Sequence, residues 1–268
     1  MKFDVNCSIL FTELPLLKRP AAAAAAGFDA VEFWWPFEDP VPGDHEADAF
    51  LAALGDAGIS LAGLNFAAGE IPAGERGWLS QPARATAFRD NVQACAGIAG
   101  RAGCTVLNAL YGNRVDGVPE SEQDDLAAES LALAASAAAG IGATVVIEAL
   151  NAPESPRYPL VSAAAVITVV DRVRAEAGVT NVAFLADLYH LARMNEDLAG
   201  VLDAYFNKIG HVQIADVPGR GAPGTGKIEF GPLLGQLAGL GYRGRVGLEY
   251  KPTDPADSSS SFGWLTRS

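Results

Sequence analysis

Short β-branched runs alternate with longer Ala- and Leu-rich stretches along this chain, and that alternation constrains the fold more than any other feature. The pattern predicts strands over Phe3–Ile9, Ala30–Phe33, Ser60–Asn65, Thr105–Leu110, Thr144–Glu148, Val182–Asp187, Ile209–Ile214 and Val246–Tyr250. Helices are expected near Leu14–Ala26, His45–Ala57, Gln81–Ala102, Ser121–Ala139, Val161–Ala177, Leu198–Asn207 and Pro232–Leu240, with a short eighth from Ser258. Glycines mark the joints, at Gly27, Gly58, Gly103, Gly140–Gly142 and Gly241, where a left-handed helix cap suits them. Eight strands with helical crossovers in 268 residues point to an α/β fold, a single (β/α)8 TIM barrel formed by residues 1–268. A doubly wound open sheet is the competitor. It would more often carry a Gly-rich phosphate loop after the first strand, and CSILFTELP contains no glycine.

Composition excludes several functions. Half the residues are apolar and 19% are charged, which suits a folded core. A net charge of -13 opposes nucleic acid as a partner, because phosphate binding needs clustered Lys and Arg, and it opposes an anionic membrane surface too. The uncharged run Ser130–Ile147 is long enough to test as a membrane span, but Ala, Ser and Gly dominate it and Gly140 and Gly142 divide it. Helix, turn and strand is the better reading. Three scattered cysteines, Cys7, Cys95 and Cys104, form neither a disulfide framework nor a zinc motif, so a reduced cytoplasmic setting is expected.

A barrel places its chemistry at the carboxyl ends of the strands. The last four strands end on or near Glu148, Asp187, Gln213 and Glu249, each an oxygen-bearing side chain closing an apolar run. Any one of them could simply cap a loop. Four on successive strands would converge at the mouth and repel unless a cation lay between them. Oxygen donors select a hard divalent ion, Mg²⁺ or Mn²⁺.

Several segments carry a family likeness: NCSILFTELP, AGFDAVEFWWP, LNFAAGEIPAGERG, DLYH, HVQIADVPGR followed by PGTGKIEF, and GLEYKP. Together they resemble hydroxypyruvate isomerases of the xylose-isomerase-like barrel superfamily over nearly the whole length. The resemblance implies a metal site at Glu148, Asp187, Gln213 and Glu249, with Glu148 and Glu249 as the proton-transfer pair. A glutamine at the third metal position looks like this family, whereas ketose epimerase relatives usually place a histidine there. It also implies that His190, ordinarily a backbone-satisfied histidine at a helix start, bonds a substrate oxygen.

The implied partner is a small hydroxy-oxo acid, most simply hydroxypyruvate interconverting with tartronate semialdehyde through an enediolate. Arg220, Arg76 and Lys251 are candidates for its carboxylate, each with the alternative of an ordinary loop cation. Asn65 and Asn108 close strands and are candidates for the pocket wall, though strand-end turns also favour Asn. Trp34 and Trp35 fit either the mouth or a subunit contact, and a homo-oligomer is plausible for such a barrel. His211, two residues before Gln213, is expected one layer deeper as a buried, hydrogen-bonded histidine.

The loop ALNAPESPRYPLVS and the Ala192-Arg193 pair depart from the usual hydroxypyruvate isomerase pattern and bear on substrate choice. Alternatives within the superfamily are a 2-oxotetronate isomerase and a ketose 3-epimerase. A metal-dependent abasic-site endonuclease is opposed by the acidity and by a complement of three histidines. A non-catalytic sugar-acid-binding barrel would be expected to have lost a carboxylate.

Overall fold

In the computed structural model, which describes residues 1–265, eight parallel strands close into a barrel in sequence order. They are β1 (Lys2–Asn6), β2 (Ala30–Phe33), β3 (Ser60–Asn65), β4 (Val106–Asn108), β5 (Thr144–Glu148), β6 (Val182–Asp187), β7 (Ile209–Ile214) and β8 (Arg245–Leu248). The covering helices are α1 (Arg19–Ala25), α2 (Asp44–Ala57), α3 (Ala85–Ala102), α4 (Glu120–Ala139), α5 (Ala163–Ala177), α6 (Leu188–Arg193), α7 (Leu198–Tyr205) and α8 (Phe230–Leu240). The apolar core lies between strands and helices, with Val5, Val31, Phe33, Phe50, Phe88, Leu131, Val166 and Leu202 among its buried members.

Element boundaries shift for identifiable reasons. Proline divides two expected helices: Leu16–Lys18 forms a 3-10 turn before Pro20, and Pro82–Arg84 forms another before α3. Strand β1 stops at Asn6, whose side-chain oxygen accepts the Ser8 N–H and turns the chain. Strand β8 ends at Leu248, so Glu249 stands just beyond it. Helix α4 begins at Glu120, directly after Pro119 and one residue before the expected Ser121. At the 140–142 joint, Gly140 keeps a right-handed conformation and Gly142 takes the left-handed one (φ 70°). Helix α6 lies outside the expected set, and the Ser258–Phe262 segment is a 3-10 helix. Among the described residues no helix is long and apolar enough to cross a membrane, and the 130–147 run is the end of α4, a turn and β5.

The barrel interior is chemically divided. Val106, Val146, Ala183 and Leu185 fill the side built by β4, β5 and β6. Opposite them, Asp4, Asn6, Glu32, His211 and Gln213 are all buried. Gly63 and Gly247 border this polar half; a Cβ on Gly247 would come within 2.6 Å of Glu32 Oε1. The strands therefore dispense with side chains where the Glu32 carboxylate needs space.

Candidate active site

Barrel register sets the cluster. Asp187 pairs with Gln213, so β6 and β7 deliver their polar ends side by side, while Glu148 pairs with Leu185, two residues before Asp187, and Glu249 lies two residues beyond Gly247, the partner of Gln213. Glu148, Asp187, Gln213 and Glu249 are each at most 5% exposed. Asp187 Oδ1 accepts the N–H groups of Tyr189 (2.8 Å) and His190 (3.3 Å), capping α6. Its other oxygen lies 3.6 Å from His190 Nε2 and 3.9 Å from Arg220. Glu148 accepts from Asn108 Nδ2 at 2.8 Å. Glu249 accepts from Trp34 Nε1 (2.8 Å) and from Arg220 (2.9 Å).

Crowded carboxylates shift one another's protonation. Burial raises the Glu148 pKa well above the carboxylate range, and the charges of Glu249 and Asp187 raise it further. Burial lifts Glu249 to about 8 despite Arg220, with Asp187 and Glu32 adding to the rise. Burial lifts Asp187 to about 6, with Arg220 and its two backbone N–H bonds pulling the other way. Burial opposes the Arg220 charge, but Glu249, Asp187 and Glu148 outweigh it and its pKa is raised. His190 is driven well below the usual histidine range by burial, then by Arg220, Arg76 and Arg193. The Asn151 N–H donates to His190 Nδ1 (3.1 Å), so the neutral ring carries its proton on Nε2. That nitrogen can donate to a ligand oxygen and cannot ligate a cation in this tautomer.

A cavity of about 300 Å³ opens above the cluster. Glu148, Glu249, His190, Arg220, Arg76 and Asn65 line it, with Trp34, Trp35, Ile71 and Leu150 forming apolar wall. The Trp pair thus lies at the mouth, as one of the two sequence readings expected. Arg76 is braced by Ser155 Oγ (3.0 Å) and by the carbonyls of Ile71 and Glu75. Asp187, Gln213 and Asn108 sit behind the lining residues; Asn108 serves the cavity by holding Glu148. Lys251 is not brought in. The chain leaves the barrel after Glu249, and Lys251 is exposed while its backbone N–H bonds the Arg220 carbonyl.

His211 is buried with Nε2 2.9 Å from Glu32 Oε2, as its position below Gln213 predicts. Three residues escaped the sequence reading. Glu32 joins His211 to Gln213, and Glu154 accepts from the Tyr189 hydroxyl and, at 3.0 Å, from Asn151. Ser155 braces Arg76. Glu32 left one signal, a single carboxylate inside the apolar run AVEFWW; the other two sit in a loop without a pattern.

Three features bear on whether these residues suit a cation. The four strand-end side chains are a hard oxygen set. Gln213 Oε1 is buried with no hydrogen-bond partner among the described residues. Single carboxylate oxygens of Glu148 and Asp187 also lie within 4.8 Å of each other and of a His190 nitrogen, which in the tautomer above would stand beside the ion and not ligate it.

Fold and strand-end cluster together define a barrel enzyme, and the chain belongs to the xylose isomerase-like TIM barrel family, whose model matches residues 20–268. It is an isomerase by its relatives, which are named hydroxypyruvate isomerase or 2-oxo-tetronate isomerase. A Streptomyces coelicolor protein provisionally named hydroxypyruvate isomerase is 60% identical over 98% of this chain and 95% of its own. Hydroxypyruvate isomerase of Escherichia coli is 33% identical over 94% of both chains. The 2-oxo-tetronate isomerase of Cupriavidus necator is 35% identical over 98% of this chain and 97% of its own. A solved structure titled AP endonuclease, family 2, from Brucella melitensis superposes with a TM-score of 0.89 at 33% identity, covering 99% of this chain and 98% of that one.

Proposed function

We propose that the protein is a divalent-metal-dependent aldose–ketose isomerase of a small hydroxy-oxo acid, best described by hydroxypyruvate and tartronate semialdehyde. The observation that carries this is the convergence of Glu148, Asp187, Glu249 and the unpaired Gln213 oxygen beneath a cavity lined by Arg76, Arg220 and a neutral His190. These four residues would hold Mg²⁺ or Mn²⁺, which when bound supplies charge stabilisation to two vicinal substrate oxygens.

The chain's own groups would do the rest. Arg76 faces the cavity with two of its three nitrogens engaged in bracing, and it suits the substrate carboxylate, which free sugars lack. His190 Nε2–H donates to a substrate oxygen. Glu148 and Glu249 reach the cavity from β5 and the end of β8 and exchange a proton with adjacent substrate carbons. One carboxylate takes the C3 proton of hydroxypyruvate, the electron pair forms the C2–C3 double bond of the enediolate, the hydroxyl proton on O3 passes to O2, and reprotonation at C2 gives the aldehyde. The walls of Trp34, Trp35, Ile71 and Leu150 keep water from the intermediate. Burial raises both glutamates, and Glu249, lifted to about 8, fits a group that holds and releases a proton near neutrality.

A four-carbon 2-oxotetronate is the second reading, favoured by a cavity roomier than a three-carbon acid needs. The net charge of -13 supports a small-molecule substrate over DNA. NMR of hydroxypyruvate and of 2-oxotetronate in D₂O, with and without Mn²⁺, tests the proposal. Solvent deuterium should enter alongside metal-dependent isomerisation of at least one acid. Conversion that ignores metal, or none with either acid, refutes it.

A further inference from the structure

Glu32 lies one layer below the proposed metal cluster, 3% exposed, and accepts three side-chain contacts. Gln213 Nε2 reaches Glu32 Oε1 at 2.7 Å, Asn6 Nδ2 reaches the same oxygen at 3.3 Å, and His211 Nε2 lies 2.9 Å from Oε2. A carboxylate accepts and does not donate, so it binds the amide end of Gln213 and leaves the carbonyl end facing away. That end is the buried oxygen with no partner among the described residues. A carboxamide turned by 180° would present N–H groups to a cation and repel it.

We propose that Glu32 is a positioning residue that fixes the Gln213 carboxamide with its oxygen toward the cation. The inference rests on the reading of Gln213 as a ligand in the proposed function. Acting through Gln213, Glu32 is the outer partner that orients a ligand and sets its basicity. Gly247 completes the arrangement: its missing Cβ would stand 2.6 Å from Glu32 Oε1 and 3.0 Å from Gln213 Cγ, where the two side chains meet.

The test measures Mn²⁺ affinity of the whole protein by EPR titration, without substrate, in wild type, Glu32→Gln, Gln213→Ala and the double variant. Metal-free melting curves verify that each is folded. In the wild-type background Glu32→Gln should weaken Mn²⁺ binding by roughly 10–100-fold. In the Gln213→Ala background the same substitution should change it by less than about twofold, because its route of action is gone. Equal factors in both backgrounds would mean that Glu32 acts through its charge or through the fold, and would overturn the inference. No effect in the wild-type background overturns it as well. If Gln213→Ala leaves affinity unchanged, or wild type binds no Mn²⁺, the metal reading has failed and takes the inference with it. Gly247→Ala separates the pair without altering any charge, and should weaken Mn²⁺ binding in the same direction; unchanged affinity counts against the mechanism.

Discussion

Replacing Arg220 with Ala should destabilise the metal-free protein by an amount that grows with pH. Arg220 is 16% exposed at its side chain and stands 2.9 Å from Glu249 and 3.9 Å from Asp187, with its guanidinium 5.4 Å from the Tyr189 ring centroid. Removing one member of a buried ion pair costs about 3–5 kcal/mol when the partner stays charged. Here the partners can take up protons instead. Their folded-state pKa values are already raised, so the folded chain binds more protons than the unfolded chain, and stability falls as pH climbs through that window. Arg220 opposes the rise in all three carboxyls; without it the window extends upward. The difference between wild type and variant should therefore be small near pH 5.5 and approach the full cost near pH 8.

For a chain of this size, 3–5 kcal/mol corresponds to a Tm loss on the order of 10 °C. Backbone conformation adds a control. Arg220 has φ 58°, in the left-handed region that costs a non-glycine residue about 1 kcal/mol or more. Arg220→Gly loses the same charge yet relieves this strain, so it should melt a few degrees above Arg220→Ala. Circular-dichroism melts at pH 5.5 and pH 8 in chelator decide the matter. A Tm loss equal at both pH values, or a variant as stable as wild type at pH 8, would show that Arg220 does not neutralise the cluster.

Glu148→Gln and Glu249→Gln should each lower kcat by about 10²–10⁴-fold while leaving the fold intact by melting, since on the proposed mechanism each removes a proton-transfer group and keeps its shape. In the proposed site Mn²⁺ must displace the protons that burial holds on Glu249, which titrates at about 8, and on Glu148, so affinity by calorimetry should fall by roughly tenfold or more per pH unit from 7.5 to 6.5. Arg76→Met should raise KM for a carboxylate substrate by roughly 10–100-fold, with kcat much less affected, in steady-state assays. Lys251→Ala, at an exposed position away from the cavity, should change neither kcat/KM nor Tm beyond about 0.5 kcal/mol.

What the sequence made legible follows from how local each signal is. Strands β5 and β6 are largely buried apolar runs ended by an acid, β7 carries its amide one residue before its end, and the predicted bounds of all three match the structure. The ends of α2, α3 and α8 are equally local, because Gly58, Gly103 and Gly241 each adopt the left-handed cap. The prolines after Leu14 and Gln81 were visible too, and their effect on helix start is a matter of backbone geometry at one residue. Helix α6 was hidden because Asp187 does two things at once: it closes β6, and the same carboxylate caps the next six residues. The sequence reading places a helix start at His190 but assigns it no bounds, since the carboxylate that caps it is counted as a strand end.

Lys251 and Glu32 show the other limit. Lys251 is two positions from a cluster member, and the turn out of the barrel sends it into solvent; sequence proximity carries no direction once a strand has ended. Glu32 is the reverse case, 181 residues from Gln213 and in hydrogen-bond contact with it. Nothing in the AVEFWW run distinguishes a carboxylate facing helices from one facing the barrel axis, because the partners that stabilise it come from β1 and β7. The glycine at 247 is the informative residue in retrospect. A strand interior ordinarily loses stability by carrying glycine, so its presence beside a carboxylate points to close approach of another side chain. In this barrel the polar residues at the strand ends are read from the runs they close, whereas those that orient them are found through the spaces the strands leave open.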